Sequence, residues 1–238
     1  MNFLNEYTIY SVGDHAVTIE LSTTIDEETN EKVLCLFNHF MQQKPEEIKD
    51  IIPAYSSLTL VYDIIAVRKK YDISAHSAIL QFIEKKLSSF TFCTASTNNC
   101  IVIPVCYDIS LGIDLQEMAI AKNTDIPTLI NLHLSKIYRV YMIGFLPGFA
   151  YLGKVDALLA TPRKAEPRKK IDAGSVGIAG DQTGIYPVTS PGGWNIIGQT
   201  PIQLFNQQAP DNTLLKQGDL VRFEAIDIAT FHQLKNKV

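Results

Sequence analysis

The densest group of charged side chains in the sequence is Arg163, Lys164, Arg168, Lys169 and Lys170, spaced by Pro162 and Pro167. Proline holds a chain extended, and arginine presents a planar fork of donors that matches a carboxylate or phosphate. Arg168, set between Pro167 and Lys169, is therefore the preferred anion ligand, the alternative being a solvated basic loop. A second candidate is His133. It follows Leu129 by four residues and Ile130 by three, on the apolar stripe of a helix. There it is either a satisfied core imidazole or, where the helix meets a Gly/Pro-rich stretch, a group that moves a proton near neutral pH. His15, His39, His76 and His232 show no ligand spacing with one another, and no metal site is read.

The sole tryptophan stands in Ser190-Pro191-Gly192-Gly193-Trp194, after two glycines that let backbone approach a ligand closely. With Gln182, Thr183 and Tyr186 upstream as neutral hydrogen-bonding groups, this stretch reads as a pocket wall or as a structural turn pinned by Trp194. Two nearby motifs lose on context. Gly148-Phe149-Ala150-Tyr151-Leu152-Gly153-Lys154-Val155 approaches a phosphate loop, but Val155 replaces the hydroxyl that holds Mg²⁺ and no strongly helical segment follows. Ala173-Gly174-Ser175-Val176-Gly177 grazes a nucleophile elbow, but Arg168-Lys169-Lys170 before it is no buried strand.

The elements that must position these residues have two textures. In the first 90 residues, Val17, Ile19 and Leu21 alternate as a strand, and Leu58, Leu60 and Tyr62 as another. Asp26 caps a helix predicted over 26–42 and ended before Pro45, and Ser74 caps a helix carrying Ile79, Leu80, Ile83 and Leu87. The polar stretch from Ser88 to Asn99 suits a linker, dividing an N-terminal unit over 1–94 from a second over 95–238. The second opens on a strand at Ile101–Val105, whose Pro104 argues for an edge or bulge, followed by helices near 114–122 and 126–135. From Tyr138 to Phe223 short apolar runs are cut by Pro and Gly, which predicts few helices and a barrel or sandwich of many short strands. The fold class is α+β with two domains, the first a small α/β sandwich.

Composition limits what this assembly can do. The chain has 238 residues, 46% hydrophobic and 19% charged, enough to fold around real cores. Its 21 Lys+Arg against 25 Asp+Glu give a net charge of −4, so no global positive field exists for nucleic acid or an anionic membrane and any anion site is local. No signal peptide and no stretch near the roughly 18 apolar residues of a spanning helix are read, which predicts a cytoplasmic protein. Cys35, Cys93, Cys100 and Cys106 form no C-x-x-C pair and read as structural thiols.

Taken together, the run Tyr138 to Gly153, with Phe145, Pro147 and Gly148 within it, the pairs Pro162-Arg163 and Pro167-Arg168, Ala173-Gly174-Ser175-Val176, Gly180 to Pro187 and Ser190 to Trp194 resemble one family. It is the family of B-type 5-oxoprolinase subunits, also called allophanate hydrolase subunit 1 or the Kip-type histidine kinase inhibitors, whose carboxyltransferase domain (subdomain C and D) recurs in urea carboxylase. Gly13-Asp14-His15-Ala16-Val17 and Ile51 to Leu58 extend the likeness over almost the whole chain. Gln199 stands where the family commonly has arginine, and Asp172 where it commonly has proline.

The resemblance implies a C-terminal cyclophilin-like β-barrel. It also implies two partners, the homologous C-type and the hydantoinase-like A-type subunits, with which 5-oxoproline is opened to L-glutamate at the cost of ATP bound in the assembled complex. In that reading His133 moves a proton and Arg168 holds an anion in a shared site. Phe145, Pro147, Gly148, Gln182, Tyr186, Ser190, Pro191, Gly192, Gly193 and Trp194 shape the substrate pocket. A lactam carbonyl is a poor electrophile that needs activation, most simply by phosphoryl transfer, in a site that keeps water away. Lacking a true phosphate loop, the chain is expected to be inactive alone. The alternative from the same family is a binding module that inhibits a sensor histidine kinase. A third reading, a carboxyltransferase acting on a urea-like substrate, needs a biotin carrier that 238 residues do not accommodate.

Overall fold

A computed structural model describes residues 7–92, 100–209 and 211–236. The chain forms two compact units, Met1–Thr97 and Asn98–Val238. The expected boundary at 94/95 lies outside the described residues, as does Cys93. Among the described cysteines Cys35 and Cys106 are buried and Cys100 is exposed. Among the described residues no helix is long and apolar enough to cross a membrane.

The first unit is an antiparallel sheet, ordered β1-β2-β4-β3, with three helices among its described residues. Its strands are β1 (Thr8–Val12), β2 (Ala16–Glu20), β3 (Ile48–Pro53) and β4 (Ser57–Tyr62). Helix α1 (Glu27–Met41) starts where the Asp26 carboxylate accepts from the Thr29 N–H at 2.8 Å, and α3 (Ala75–Ser88) where Ser74 Oγ accepts from Ser77 N–H at 3.1 Å. Val33, Leu36 and Phe40 recur at helical spacing and are buried, Leu36 and Phe40 in one cluster with the alternate strand residues Val17, Ile19, Leu58 and Leu60. A short α2 (Ile64–Lys70), capped by Asp63, was not expected from the sequence; only its Val67 is buried.

The second unit is built on a closed barrel of seven strands, in the order β10-β7-β6-β13-β5-β12-β9. These are β5 (Cys100–Cys106), β6 (Ile137–Ile143), β7 (Ala150–Gly153), β9 (Ser175–Ala179), β10 (Gln182–Ile185), β12 (Asn195–Gln199) and β13 (Leu220–Ile226). β8 (Arg168–Ile171) and β11 (Ser190–Gly192) form a separate two-stranded ribbon. Between Tyr138 and Phe223 no helix occurs among the described residues; α4 (Leu115–Ala121) and α5 (Ile126–Leu134) precede that stretch and α6 (Ile228–Lys235) follows it. Closure removes the free edges that short strands would expose. Pro104, expected at an edge or bulge, lies in β5 inside the closed wall. That strand pairs in parallel with β13 along its whole length but with β12 at one register position only, Gln199↔Cys106, so the seam beside it carries almost no ladder. Ile103, Val105, Val140, Leu152, Val176, Ile178, Val221 and Phe223 belong to the buried apolar core of this unit.

Candidate functional site

The β8–β11 ribbon brings distant residues together. Ser190 pairs with Ile171 and Gly192 with Arg168, which sets the Ser190 to Trp194 stretch beside an aromatic cluster of Phe149, Tyr151, Tyr186 and Trp194. Phe149 is the hub. It meets Tyr151, Tyr186 and Trp194 edge-on, with ring centroids 4.9, 5.3 and 5.3 Å away. A side chain on Gly192 would collide with the Tyr186 hydroxyl, so only glycine lets this loop lie on the tyrosine.

A cavity of about 410 Å³ opens on this cluster. It is lined by Phe145, Leu146, Tyr151, Arg163, Pro167, Tyr186 and the residues Ser190 to Trp194, so one cation stands among otherwise neutral side chains. Phe145 at its margin is 63% exposed and holds a φ of 70°, a left-handed conformation that a bulky side chain adopts at a cost of order 1–3 kcal/mol. The Arg163 guanidinium lies 6.0 Å from the Trp194 ring centroid, within cation–π range. Burial raises the hydroxyl pKa of both Tyr151 and Tyr186, so both stay protonated at neutral pH.

Seven residues expected in a pocket, Phe145, Tyr186, Ser190, Pro191, Gly192, Gly193 and Trp194, thus line one cavity. Three do not. Pro147 is exposed away from the lining; Gly148 turns at φ +80° with its Cβ position 3.1 Å from Phe205 Cβ; Gln182 pairs in the barrel wall with Gly153 and Ala179. The sequence reading also passed over Tyr151, hidden inside the apparent phosphate loop. The middle half of that segment, Ala150–Gly153, is β7, laddered to β6 and β10, so this backbone is committed to the barrel rather than to a phosphate. Ser175 is buried in β9, with no nucleophile elbow around it.

Arg168 does hold an anion, but the anion belongs to the chain itself. Its Nη1 and Nη2 donate to Asp114 Oδ2 and Oδ1 at 3.0 and 2.6 Å. Asp114 occupies the N-cap position of α4 without capping it; its carboxylate also accepts from the Ile196 N–H at 2.6 Å and pairs with Lys164 Nζ at 2.9 Å. Burial alone would raise this carboxyl, but the hydrogen bonds from Arg168, Ile196 and Lys164 outweigh it and hold the pKa below the ordinary value. The guanidinium fork expected to hold a substrate anion is thus occupied in this structure by Asp114.

The ring of His133 is likewise taken up by the chain's own atoms. It is completely buried, stacked on Phe223 with centroids 4.5 Å apart. Thr183 Oγ1 donates to Gly177 O at 3.1 Å and so accepts from His133 Nε2 at 3.0 Å, while the Tyr107 hydroxyl donates to Nδ1 at 2.7 Å. Both nitrogens of a neutral ring are used and none is left for a reacting group. Burial lowers its pKa to about 3, which leaves the core alternative as the one the geometry describes. Gln199, standing where arginine was expected, is buried and donates to Ala173 O at 2.6 Å.

A closed seven-stranded barrel with an aromatic pocket outside it, joined to an α/β unit, defines the class of protein, and comparison with known proteins gives the same class. Residues 7–215 match the family model "Carboxyltransferase domain, subdomain C and D", and the chain belongs to that family. It is 38% identical to the B subunit of 5-oxoprolinase from Bacillus subtilis (strain 168) over 97% of this chain and 98% of that one. The crystal structure of TTHA0988 is similar at 33% identity and TM-score 0.77, covering 89% of this chain and 40% of that longer one. The urea amidolyase of Kluyveromyces lactis shares the fold, with TM-score 0.79 at 16% identity over 97% of this chain and 15% of that one.

Proposed function

We propose that this chain is the B-type subunit of a cytoplasmic 5-oxoprolinase complex, which opens 5-oxoproline to L-glutamate at the cost of ATP and in which homologous C-type and hydantoinase-like A-type subunits take part. The observation that carries the reading is the end-to-end 38% identity to the B subunit of a 5-oxoprolinase. The pocket supports it: aromatic walls, neutral hydroxyls and a single guanidinium suit a small polar ring better than a nucleotide or a peptide. The division into two domains and the cyclophilin-like character of the barrel belong to the same reading, supported by the two compact units and the closed seven-stranded sheet.

The segment Gly148–Val155 does not fit a nucleotide, because its strand backbone is hydrogen-bonded into the barrel, and no step of the reaction is assigned to ATP on these residues. The chain's own contribution is to bind and orient the ring and to keep water from it, with Trp194, Tyr151 and Phe145 as the apolar surround. The test is co-expression with homologues of the A-type and C-type subunits, followed by an assay of ATP-dependent glutamate release from 5-oxoproline. Turnover by the purified assembly and none by the isolated chain is expected. Robust turnover by the chain alone, or failure to assemble with either partner, contradicts the reading.

A further inference from the structure

Four basic side chains follow one another closely in the sequence strap from Pro162 to Lys169, and the structure uses them differently. Lys164 and Arg168 are consumed by Asp114, and Lys164 also by Glu117 at 2.8 Å. Lys169 is exposed on the ribbon and does not line the cavity. Arg163 alone faces the pocket, and among the described residues its guanidinium has no carboxylate partner.

Its backbone, in contrast, is fixed on both sides. Asn195 Nδ2 donates to Pro162 O at 2.9 Å, and the Lys164 N–H donates to Gly193 O at 2.8 Å. The strap therefore holds Arg163 at the pocket while leaving its donors open. No acidic side chain lines the cavity to neutralise it. A fixed cation beside an apolar aromatic wall matches a ligand with the complementary halves: a flat or puckered ring to pack on the aromatics, and one carboxylate to take the guanidinium fork.

We propose that Arg163 is the specificity-determining residue of this pocket, and that the pocket takes a small ring bearing a single carboxylate. The proposal deepens the proposed function by naming the ligand class and the residue that reads it, and it is tested without the assembled complex, so the two can fail separately. The geometry also discriminates: removing the carboxylate from the ligand, or the fork from the protein, leaves packing but abolishes the charge-assisted pair, so the two losses are not additive.

Trp194 is the only tryptophan in the chain and lines the cavity, so its fluorescence reports occupancy directly. The full chain is titrated with L-5-oxoproline, with benzoate and with the uncharged 5-oxoprolinamide, as wild type and as Arg163→Gln, Arg163→Lys and Lys169→Gln. Saturable binding of a ring carboxylate is expected, at least tenfold tighter than the amide. Arg163→Gln removes that preference, Arg163→Lys retains part of it, and Lys169→Gln leaves it intact; unchanged melting temperatures establish that the variants are folded. Binding of benzoate without 5-oxoproline supports the proposal and counts against the proposed function. Equal affinity for acid and amide, full affinity in folded Arg163→Gln, or no carboxylate binding at all overturns it.

Discussion

His133 and Arg163 lie in the same compact unit, and in the sequence each is a polar residue with a plausible chemical role. Inside the barrel, His133 has every polar atom of its ring answered, by Tyr107 on one side and Thr183 on the other, and the Thr183 hydroxyl in turn donates a hydrogen bond to Gly177 O. Outside it, the Arg163 guanidinium lies 6.0 Å from the Trp194 ring centroid and the residue lines a cavity. A buried polar group must be satisfied by the fold or it costs stability, whereas a group held at a pocket without an internal partner is available to a ligand. Satisfaction by the chain's own atoms, rather than residue type, is what separates structural from functional polar groups here.

The comparison breaks most visibly under acid. Burial lowers His133 from 6.5 to about 3, so between these values the unfolded chain binds a proton that the folded barrel refuses. Its contribution is complete above about pH 6.5 and is lost as pH falls toward 3, by on the order of 4–5 kcal/mol. Asp114, whose carboxyl is depressed, adds its own loss only as pH falls below the usual carboxylate range near 4. Urea unfolding followed by Trp194 fluorescence between pH 7 and 4.5 is expected to show a steep fall that His133→Asn flattens. Constant wild-type stability across that window would mean the imidazole is not sealed.

A smaller effect is expected from Asp114→Ala, which strands Arg168 without its counter-ion, leaves Lys164 with Glu117 alone and leaves the Ile196 N–H unbonded. Both cations are partly solvated, so the loss is set at about 2–4 kcal/mol, below that of a fully buried broken pair. The freed strap should also weaken ring-carboxylate binding severalfold, although no residue lining the pocket has changed. Chemical denaturation and the fluorescence titration on one preparation check both. A stability change under about 1 kcal/mol, as for an ordinary surface pair, would show that Asp114 does not organise the strap.

Much of this architecture was legible because local pattern and tertiary burial agree. Asp26 and Ser74 cap the helices they precede, and the alternation at Val17, Ile19, Leu58 and Leu60 becomes the buried face of a sheet. β1 was missed because Tyr10 and Val12 are exposed and no alternating burial marks the strand; α2 was missed because a seven-residue helix with one buried side chain carries too little periodicity. The glycines and tryptophan of the pocket were readable from their types, since close backbone approach needs Gly192. The choice between Arg163 and Arg168 was not, because it depends on Asp114, 54 residues from Arg168 in the chain and adjacent only after the barrel closes. His133 likewise owes its role to Thr183, 50 residues away.

The contrast between the sealed centre and the open one is tested most directly by measuring ring-carboxylate affinity through Trp194 fluorescence in His133→Asn and Arg163→Gln beside the wild type, at pH 7 where all three are folded. His133→Asn is expected to lose roughly 1–3 kcal/mol of stability, from a poorly satisfied buried group, while keeping wild-type affinity. Arg163→Gln is expected to keep its stability and lose at least tenfold in affinity, about 1.4 kcal/mol or more. Wild-type affinity in Arg163→Gln together with lost affinity in folded His133→Asn would contradict the account.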